Sequence, residues 1–302
     1  MATESSSHNL TRTKTALVTG ASSGIGYAVV KELAHHGFTV YACARREEVL
    51  RDLAAQFPKG NVIPYALDIT NITEIVQLKE YLATHLPQQC LDVLYNNAGQ
   101  SCCLPAVDLT DEILTRLFRV NVIGHMDMTT QLAQLVINAK GTILFTGSLA
   151  GLTMFPFGAS YAATKAAIHQ YARVLHGEMK IFDVRVINAV TGGVDTEIAD
   201  KGALPRTSLF HFKEGLVAFE ERKRMVEKSQ PMSADKYAHE LVADILSSRD
   251  PLDVYRGSWA TVVSWLMLLA PYWLVEWILF KKFKLDSLHA AVRRRARGNK
   301  QD

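Results

Sequence analysis

At 302 residues, 48% hydrophobic and 21% charged, the chain has the apolar content to bury a sizeable core and is not a disordered polyelectrolyte. Its formal charge of +3 is concentrated at one end: Lys281 to Asp302 hold a net +6, which leaves the first 280 residues at −3 and excludes a nucleic-acid-binding body on charge. Cys43, Cys90, Cys102 and Cys103 lack metal-site spacing and no secretory leader precedes Leu10, so no metal is expected and a reducing, cytosol-facing compartment is.

Residues 1–13 are polar and Ser-rich and read as a flexible N-terminus. Thr15 to Thr19 is a short apolar run of the kind that makes a buried parallel strand. It leads into Gly20-Ala-Ser22-Ser23-Gly24-Ile25-Gly26 and then a helical pattern ending at Gly37. Strand, glycine turn and helix make a dinucleotide fingerprint with its spacing changed from GxGxxG to GxxxGxG. The glycines let backbone approach a pyrophosphate, and the helix N-terminus faces its charge. The same letters around Ser22 spell the GxSxG elbow of lipases, which keeps lipid ester hydrolysis as a rival reading. Phe38 to Ala44 reads as the second strand. Where an NAD enzyme would place an acid on the adenosine ribose stands Ala44, followed by Arg45 and Arg46; two guanidiniums without a carboxylate suit a 2′-phosphate. The expected cofactor is NADP(H).

A helix over about Glu47–Gln56 precedes a strand over Asn61–Leu67, closed by Asp68, which is placed either to meet the adenine or to cap the next turn. After a helix near Thr73–Thr84, a strand over Leu91–Tyr95 ends in Asn96-Asn97-Ala98-Gly99, amides and small residues suited to close nucleotide contact. One long helical pattern runs from Asp111 to about Ala139. It carries Asn121 in its middle, where asparagine is unfavourable unless it faces solvent or has a hydrogen-bonding task. The strand Gly141–Thr146 delivers Ser148 to the same sheet edge. Leu149, Leu152, Met154, Phe155 and Phe157 then form an apolar loop suited to an acyl channel or to plain packing. In the helix that begins near Ala159, Tyr161 and Lys165 stand one turn apart on one face. A phenol of pKa about 10 needs a nearby cation to exchange protons at neutral pH, and Lys165 is placed to supply it.

A further strand, Val184–Val190, ends in Thr191-Gly192-Gly193-Val194-Asp195-Thr196. Strands alternating with helices at this rhythm predict an α/β fold with a doubly wound parallel sheet, one domain over 14–257. Within it, periodicity fades over about 198–232, a stretch read as a substrate-covering segment. It holds Lys201, Arg206, His211, Lys213 and Glu221-Arg-Lys-Arg224, of which one or two cations are available for a phosphate and the rest are solvated surface. The segment 258–280 is hydrophobic. Trp259 to Phe280 carries one charge, Glu276, and as a single helix would reach roughly 33 Å, but Pro271 splits it. A full span would also carry the basic tail, 281–302, to the side away from a cytosolic cofactor. The expectation is therefore two short helices lying in a membrane interface through Trp259, Trp265, Trp273 and Trp277, with the basic tail at anionic headgroups; packing against the body or a partner subunit is the alternative.

Together these motifs resemble the short-chain dehydrogenase/reductase family over Thr15 to Gly257. The resemblance implies a Rossmann-type domain, with Asn121, Ser148, Tyr161 and Lys165 as catalytic tetrad and Gly20, Ser22, Ser23, Gly24, Ile25, Gly26, Asn97, Ala98, Gly99, Val194 and Thr196 around the cofactor. In that scheme Tyr161 protonates the substrate oxygen, Ser148 hydrogen-bonds it, Lys165 lowers the phenol's pKa and grips the ribose, and Asn121 holds a water of the proton relay. Thr191-Gly192 departs from the family's usual Pro-Gly, which bears on the stiffness of that loop. A dimer or tetramer through the helices bearing Asn121 and Tyr161 is a family expectation. Within the family, Cys43-Ala-Arg-Arg46, Tyr95 to Cys102, Phe145 to Gly151, His169 to Arg173, Ile187 to Gly193 and Asp253 to Gly257 look like the fungal NADPH-dependent reductases of acylated dihydroxyacetone phosphate. That likeness implies a lipid-phosphate ketone substrate and the cytosolic face of endoplasmic reticulum and lipid droplets. A retinol or hydroxysteroid dehydrogenase of the same fold is the alternative within the family, and an inactive lipid-surface protein is disfavoured by the intact tetrad.

Overall fold

The computed structural model describes residues 12–198 and 202–298. Seven strands, β1 (Thr15–Thr19), β2 (Thr39–Ala44), β3 (Val62–Ala66), β4 (Val93–Asn96), β5 (Thr142–Thr146), β6 (Arg185–Thr191) and β7 (Asp253–Arg256), pair in parallel in the order β3-β2-β1-β4-β5-β6-β7. All five residues of β1 are buried, as a parallel strand covered on both faces requires. Because side chains alternate along a strand, Ala16 and Val18 enter one core layer and Leu17 the other. The first layer is closed by α1 (Gly24–His35), α2 (Glu47–Ala55) and, from late in the chain, α9 (Ala234–Leu246). The second is closed by α3 (Ile72–His85), α5 (Gly124–Ala139) and α6 (Ala159–Met179).

The sequence of connections reverses direction between β1 and β4. At such a switch point the loops leaving the strands diverge and open a crevice at their carboxyl ends. Thr19 fastens its two sides: its hydroxyl accepts the Asn97 N–H at 2.9 Å and the Ala98 N–H at 3.1 Å, and its carbonyl accepts the Asn97 side-chain amide at 2.9 Å.

Two stretches differ from the sequence reading and a third agrees with it. The expected single helix of Asp111–Ala139 is interrupted: α4 (Asp111–Phe118) passes into a π turn at Arg119–Ile123 before α5, which places Asn121 in the irregular turn rather than in regular helix. The segment with faded periodicity contains α7 (Lys213–Lys223) and α8 (Met225–Lys228). Its α7 is anchored by little more than Ala218 and Phe219 among charged residues, too sparse an apolar stripe to be legible. The hydrophobic segment breaks at the proline as expected, into α10 (Ala260–Leu269) and α11 (Tyr272–Lys282), and among the described residues no helix is long and apolar enough to cross a membrane.

The basic tail is ordered as α12 (Leu285–Gly298) and part of it docks on the body instead of being given over wholly to headgroups. Leu288 is buried in the cluster that holds Phe157 and Phe219, and Ala291 is buried too. The Arg295 guanidinium lies 4.0 Å from the centre of the Phe212 ring, Arg294 pairs with Glu214 at 3.5 Å, and Lys284 with Glu221 at 3.1 Å. Residues 1–11, residues 199–201 with Lys201 among them, and residues 299–302, which include parts of the expected N-terminus, covering segment and basic tail, lie outside the described residues.

Candidate active site

The crevice is a cavity of about 1360 Å³ that runs from the glycine turn past β4 and β5 to α7 and the α10–α11 pair. Gly20, Ser22, Ser23, Gly24, Ile25, Arg45, Arg46, Asp68, Asn97, Ala98, Gly99, Val194 and Thr196 line it at one end, with Ser148, Tyr161 and Lys165 on the same wall. Gly26 and Asn121 stand behind that wall.

Gly20 takes φ of +68°, a left-handed conformation that other residues adopt only under strain, and so turns the chain from β1 into α1. A Cβ on Gly26 would lie 2.4 Å from the Gly20 carbonyl oxygen and 2.5 Å from the Asn97 amide nitrogen, so the first helical turn presses against the glycine turn with no space for a side chain. The guanidinium of Arg46 donates to the Ser22 carbonyl at 3.2 Å and to the Ser22 hydroxyl at 3.1 Å. Among the described residues no histidine or carboxylate hydrogen-bonds Ser22, and the arrangement needed for a hydrolytic serine is not formed there. Arg45 is exposed at the cavity edge. The Asp68 carboxylate accepts from the Thr70 N–H at 2.9 Å and hydroxyl at 2.8 Å, the turn-capping arrangement, while its residue also borders the cavity.

Asn121 is fully buried, which decides between the two roles left open by sequence. Its Oδ1 accepts the Gln100 N–H at 2.8 Å, and its Nδ2 donates to the Gln100 carbonyl at 2.9 Å and to Thr164 Oγ1 at 3.1 Å. Both ends of the amide are engaged by protein groups, so the side chain fastens the loop after β4 to the helix that carries Tyr161.

Lys165 is 2% exposed, donates to the Thr146 carbonyl at 2.7 Å, and is pushed down to about 8 by burial. Its ammonium lies 5.7 Å from the centre of the Tyr161 ring. That places a cation beside the phenol, as the sequence spacing suggested, and several influences act on Tyr161. Burial is the largest and raises the phenol above 10; Ser148, its hydrogen-bond partner, and the positive charge of Arg222 act against burial. The lysine is fixed by a backbone carbonyl, and a second cation, Arg222, acts on the phenol from α7.

Two functional neighbours were not singled out from sequence. His169, one turn after Lys165 on α6, accepts the Ser148 backbone N–H on Nε2 at 3.0 Å, and burial followed by the charge of Lys165 pushes it down to about 4. It is therefore neutral at pH 7 and holds Ser148 in place; its i+4 spacing from Lys165 was the available signal. Arg222 lines the cavity from α7, where the sequence offered only an undifferentiated charge cluster. Arg206, His211 and Lys213 do not line the cavity. Of the apolar loop, Leu149 and Phe155 line it. Leu152 does not, Met154 packs against the α11 cluster, and Phe157 is buried against Phe210 and Phe219.

The short chain dehydrogenase family model matches residues 14–204. The chain is 56% identical, over 96% of its length and 97% of the other's, to the NADPH-dependent 1-acyldihydroxyacetone phosphate reductase of Saccharomyces cerevisiae, and 33% identical over 92% of its length and 96% of the other's to a short-chain dehydrogenase of Aspergillus ruber. Among solved structures it is similar to a short-chain dehydrogenase from Streptomyces avermitilis, with a TM-score of 0.73, 26% identity, and coverage of 96% of this chain and 98% of that one. With the parallel sheet, the glycine turn and the Ser148-Tyr161-Lys165 wall in place, this chain belongs to the short-chain dehydrogenase family.

Proposed function

We propose that the chain reduces the ketone of 1-acyldihydroxyacetone phosphate with NADPH, giving 1-acylglycerol 3-phosphate (lysophosphatidic acid) for glycerolipid synthesis. The observation that carries the substrate is the near full-length likeness to the yeast reductase. The cavity supports it, since one space joins Ser148 and Tyr161 to Leu266, Met267 and Leu279 on the hydrophobic helices, room for a lipid chain.

The residues present fit NADP(H): a glycine turn opening a helix N-terminus, Ala44 in place of a carboxylate at the end of β2, and two arginines directly after it for a 2′-phosphate. When bound, the cofactor supplies a hydride to the ketone carbon. The Tyr161 hydroxyl gives its proton to the oxygen, on which negative charge develops, and the Ser148 hydroxyl hydrogen-bonds the same oxygen. Lys165, anchored on Thr146, would hold the cofactor's ribose, and Asn121 keeps the Tyr161 helix in register with Gln100. His169 keeps Ser148 aimed by accepting its N–H.

The α10–α11 pair is read as an interfacial membrane element on the cytosolic face of endoplasmic reticulum and lipid droplets. Leu268 and Leu269 are 72% and 74% exposed, and Trp265, Trp273 and Trp277 are exposed beside them. Replacing Leu268 and Leu269 by Glu spares the buried core and is expected to release the protein from liposomes in flotation; undiminished flotation refutes the reading.

NADPH oxidation by purified protein tests the substrate. Turnover on 1-acyldihydroxyacetone phosphate well above that on retinal or 3-ketosteroids is expected, and the reverse order would replace this reading with a retinol or hydroxysteroid dehydrogenase.

A further inference from the structure

We propose that Arg222 is the residue that recognises the substrate's phosphate, and that it sets the preference for phosphorylated over neutral ketone lipids; this rests on the acyldihydroxyacetone phosphate reading above. In such a substrate one methylene and one ester oxygen separate the ketone carbon from phosphorus. A group that binds the phosphate must therefore stand close to Ser148 and Tyr161, not at the far end of the cavity.

Arg222 stands there. It lies in the last turn of α7 and lines the same cavity. Its guanidinium carbon sits 5.5 Å from the centre of the Phe155 ring, in the loop between Ser148 and Tyr161, and its Nη2 is 3.3 Å from the position a Cβ would take on Gly158. The arginine is thus packed over the loop that joins the two hydroxyl-bearing residues, and its charge is felt at the Tyr161 phenol.

Its charge is also uncompensated among the described residues. The adjacent carboxylates are committed elsewhere: Glu220 to Lys223 at 3.7 Å, and Glu221 to Lys228 and to Lys284. No described carboxylate is within ion-pair distance of Arg222, and its Nε is sealed from solvent without a hydrogen-bond partner. A half-buried guanidinium with an unused donor is costly to maintain unless an anion arrives to use it. Burial lowers its pKa from the ordinary arginine value, which an arriving dianion would offset. Lys223 and Lys228 on the same wall already have carboxylate partners, whereas a planar guanidinium presents paired donors that match phosphate oxygens.

The test compares 1-acyldihydroxyacetone phosphate with 1-acyldihydroxyacetone, which lacks only the phosphate, as substrates of the full-length protein with NADPH. Arg222→Gln is expected to raise KM for the phosphorylated ketone about 10- to 100-fold, the loss of one charge-assisted hydrogen bond or more. KM for the neutral ketone and affinity for NADPH are expected to stay within about twofold, any loss of kcat from the charge missing at Tyr161 to fall on both ketones alike, and Arg222→Lys to recover part of the loss in KM. Equal rises in KM for both ketones, or no rise for the phosphorylated one, overturn the assignment. If the native protein reduces neither ketone, the substrate reading fails by itself, and the arginine is judged by calorimetric binding of 1-acylglycerol 3-phosphate against 1-acylglycerol. A preference for the phosphorylated ligand that Arg222→Gln abolishes upholds the assignment, and the absence of such a preference in the native protein removes it.

Discussion

Acid should unfold this protein through two buried histidines next to Lys165. His125 donates from Nε2 to the Ala98 carbonyl at 2.7 Å and His169 accepts the Ser148 N–H on Nε2 at 3.0 Å, and in each ring Nδ1 is buried without a partner. Burial, then the charge of Lys165, pushes them down to about 3 and about 4. In the unfolded chain both titrate near 6.5. As pH falls below that value the unfolded state takes up protons that the folded state refuses, so stability is whole above about pH 6.5. It declines down to about pH 4 for His169 and about pH 3 for His125. At pH 5 each histidine then costs roughly 2 kcal/mol, about one and a half pH units at 1.36 kcal/mol each, and the pair roughly 4. Urea midpoints measured from pH 8 to pH 5 should show this decline. In His125→Gln, whose amide can still donate to Ala98, about half of the decline should vanish, with stability at pH 8 lower. A pH dependence identical to that of the native protein would falsify the assignment of the decline to this ring.

Tyr161→Phe should bind NADPH normally and lose turnover by about 10²- to 10⁴-fold, the usual worth of a positioned proton donor; retained turnover would place the proton transfer elsewhere. Arg45→Ala should weaken NADPH about 10- to 100-fold and leave NADH affinity unchanged, measured by fluorescence titration, because only the 2′-phosphate distinguishes the two. If both cofactors bind as before, Arg45 is simply a solvated side chain. Gly26→Ala forces a methyl group to within 2.4 Å of the Gly20 carbonyl, so the turn must move. A stability loss of about 1–3 kcal/mol and the disappearance of the thermal shift caused by NADPH are expected; a variant still stabilised by NADPH to the native extent would show that the turn tolerates the displacement.

Much of the chemistry was legible because it is local. A glycine turn between an apolar strand and a helix, two arginines after β2, and a tyrosine and lysine four apart are spacings that the backbone periods translate directly into faces and sheet edges. The parallel sheet followed from the alternation of runs, and the break of the hydrophobic segment followed from Pro271, which cannot donate within a helix. What the tertiary structure decided depends on residues distant in sequence. Asn121 became a fastening because the π turn points its amide at Gln100 and Thr164. The burial that raises Tyr161 is the sum of many elements and has no sequence spacing. Arg222 left its charge cluster because α7 folds over the cavity while Lys223, Lys228 and Lys284 occupy the neighbouring carboxylates. The basic tail packed against α7 because Leu285, Leu288 and Ala291, three apart on one face of α12, meet an apolar surface that exists only once the covering segment is folded. Sequence periodicity carries the short-range geometry; which charge remains without a partner is known only when every element is in place.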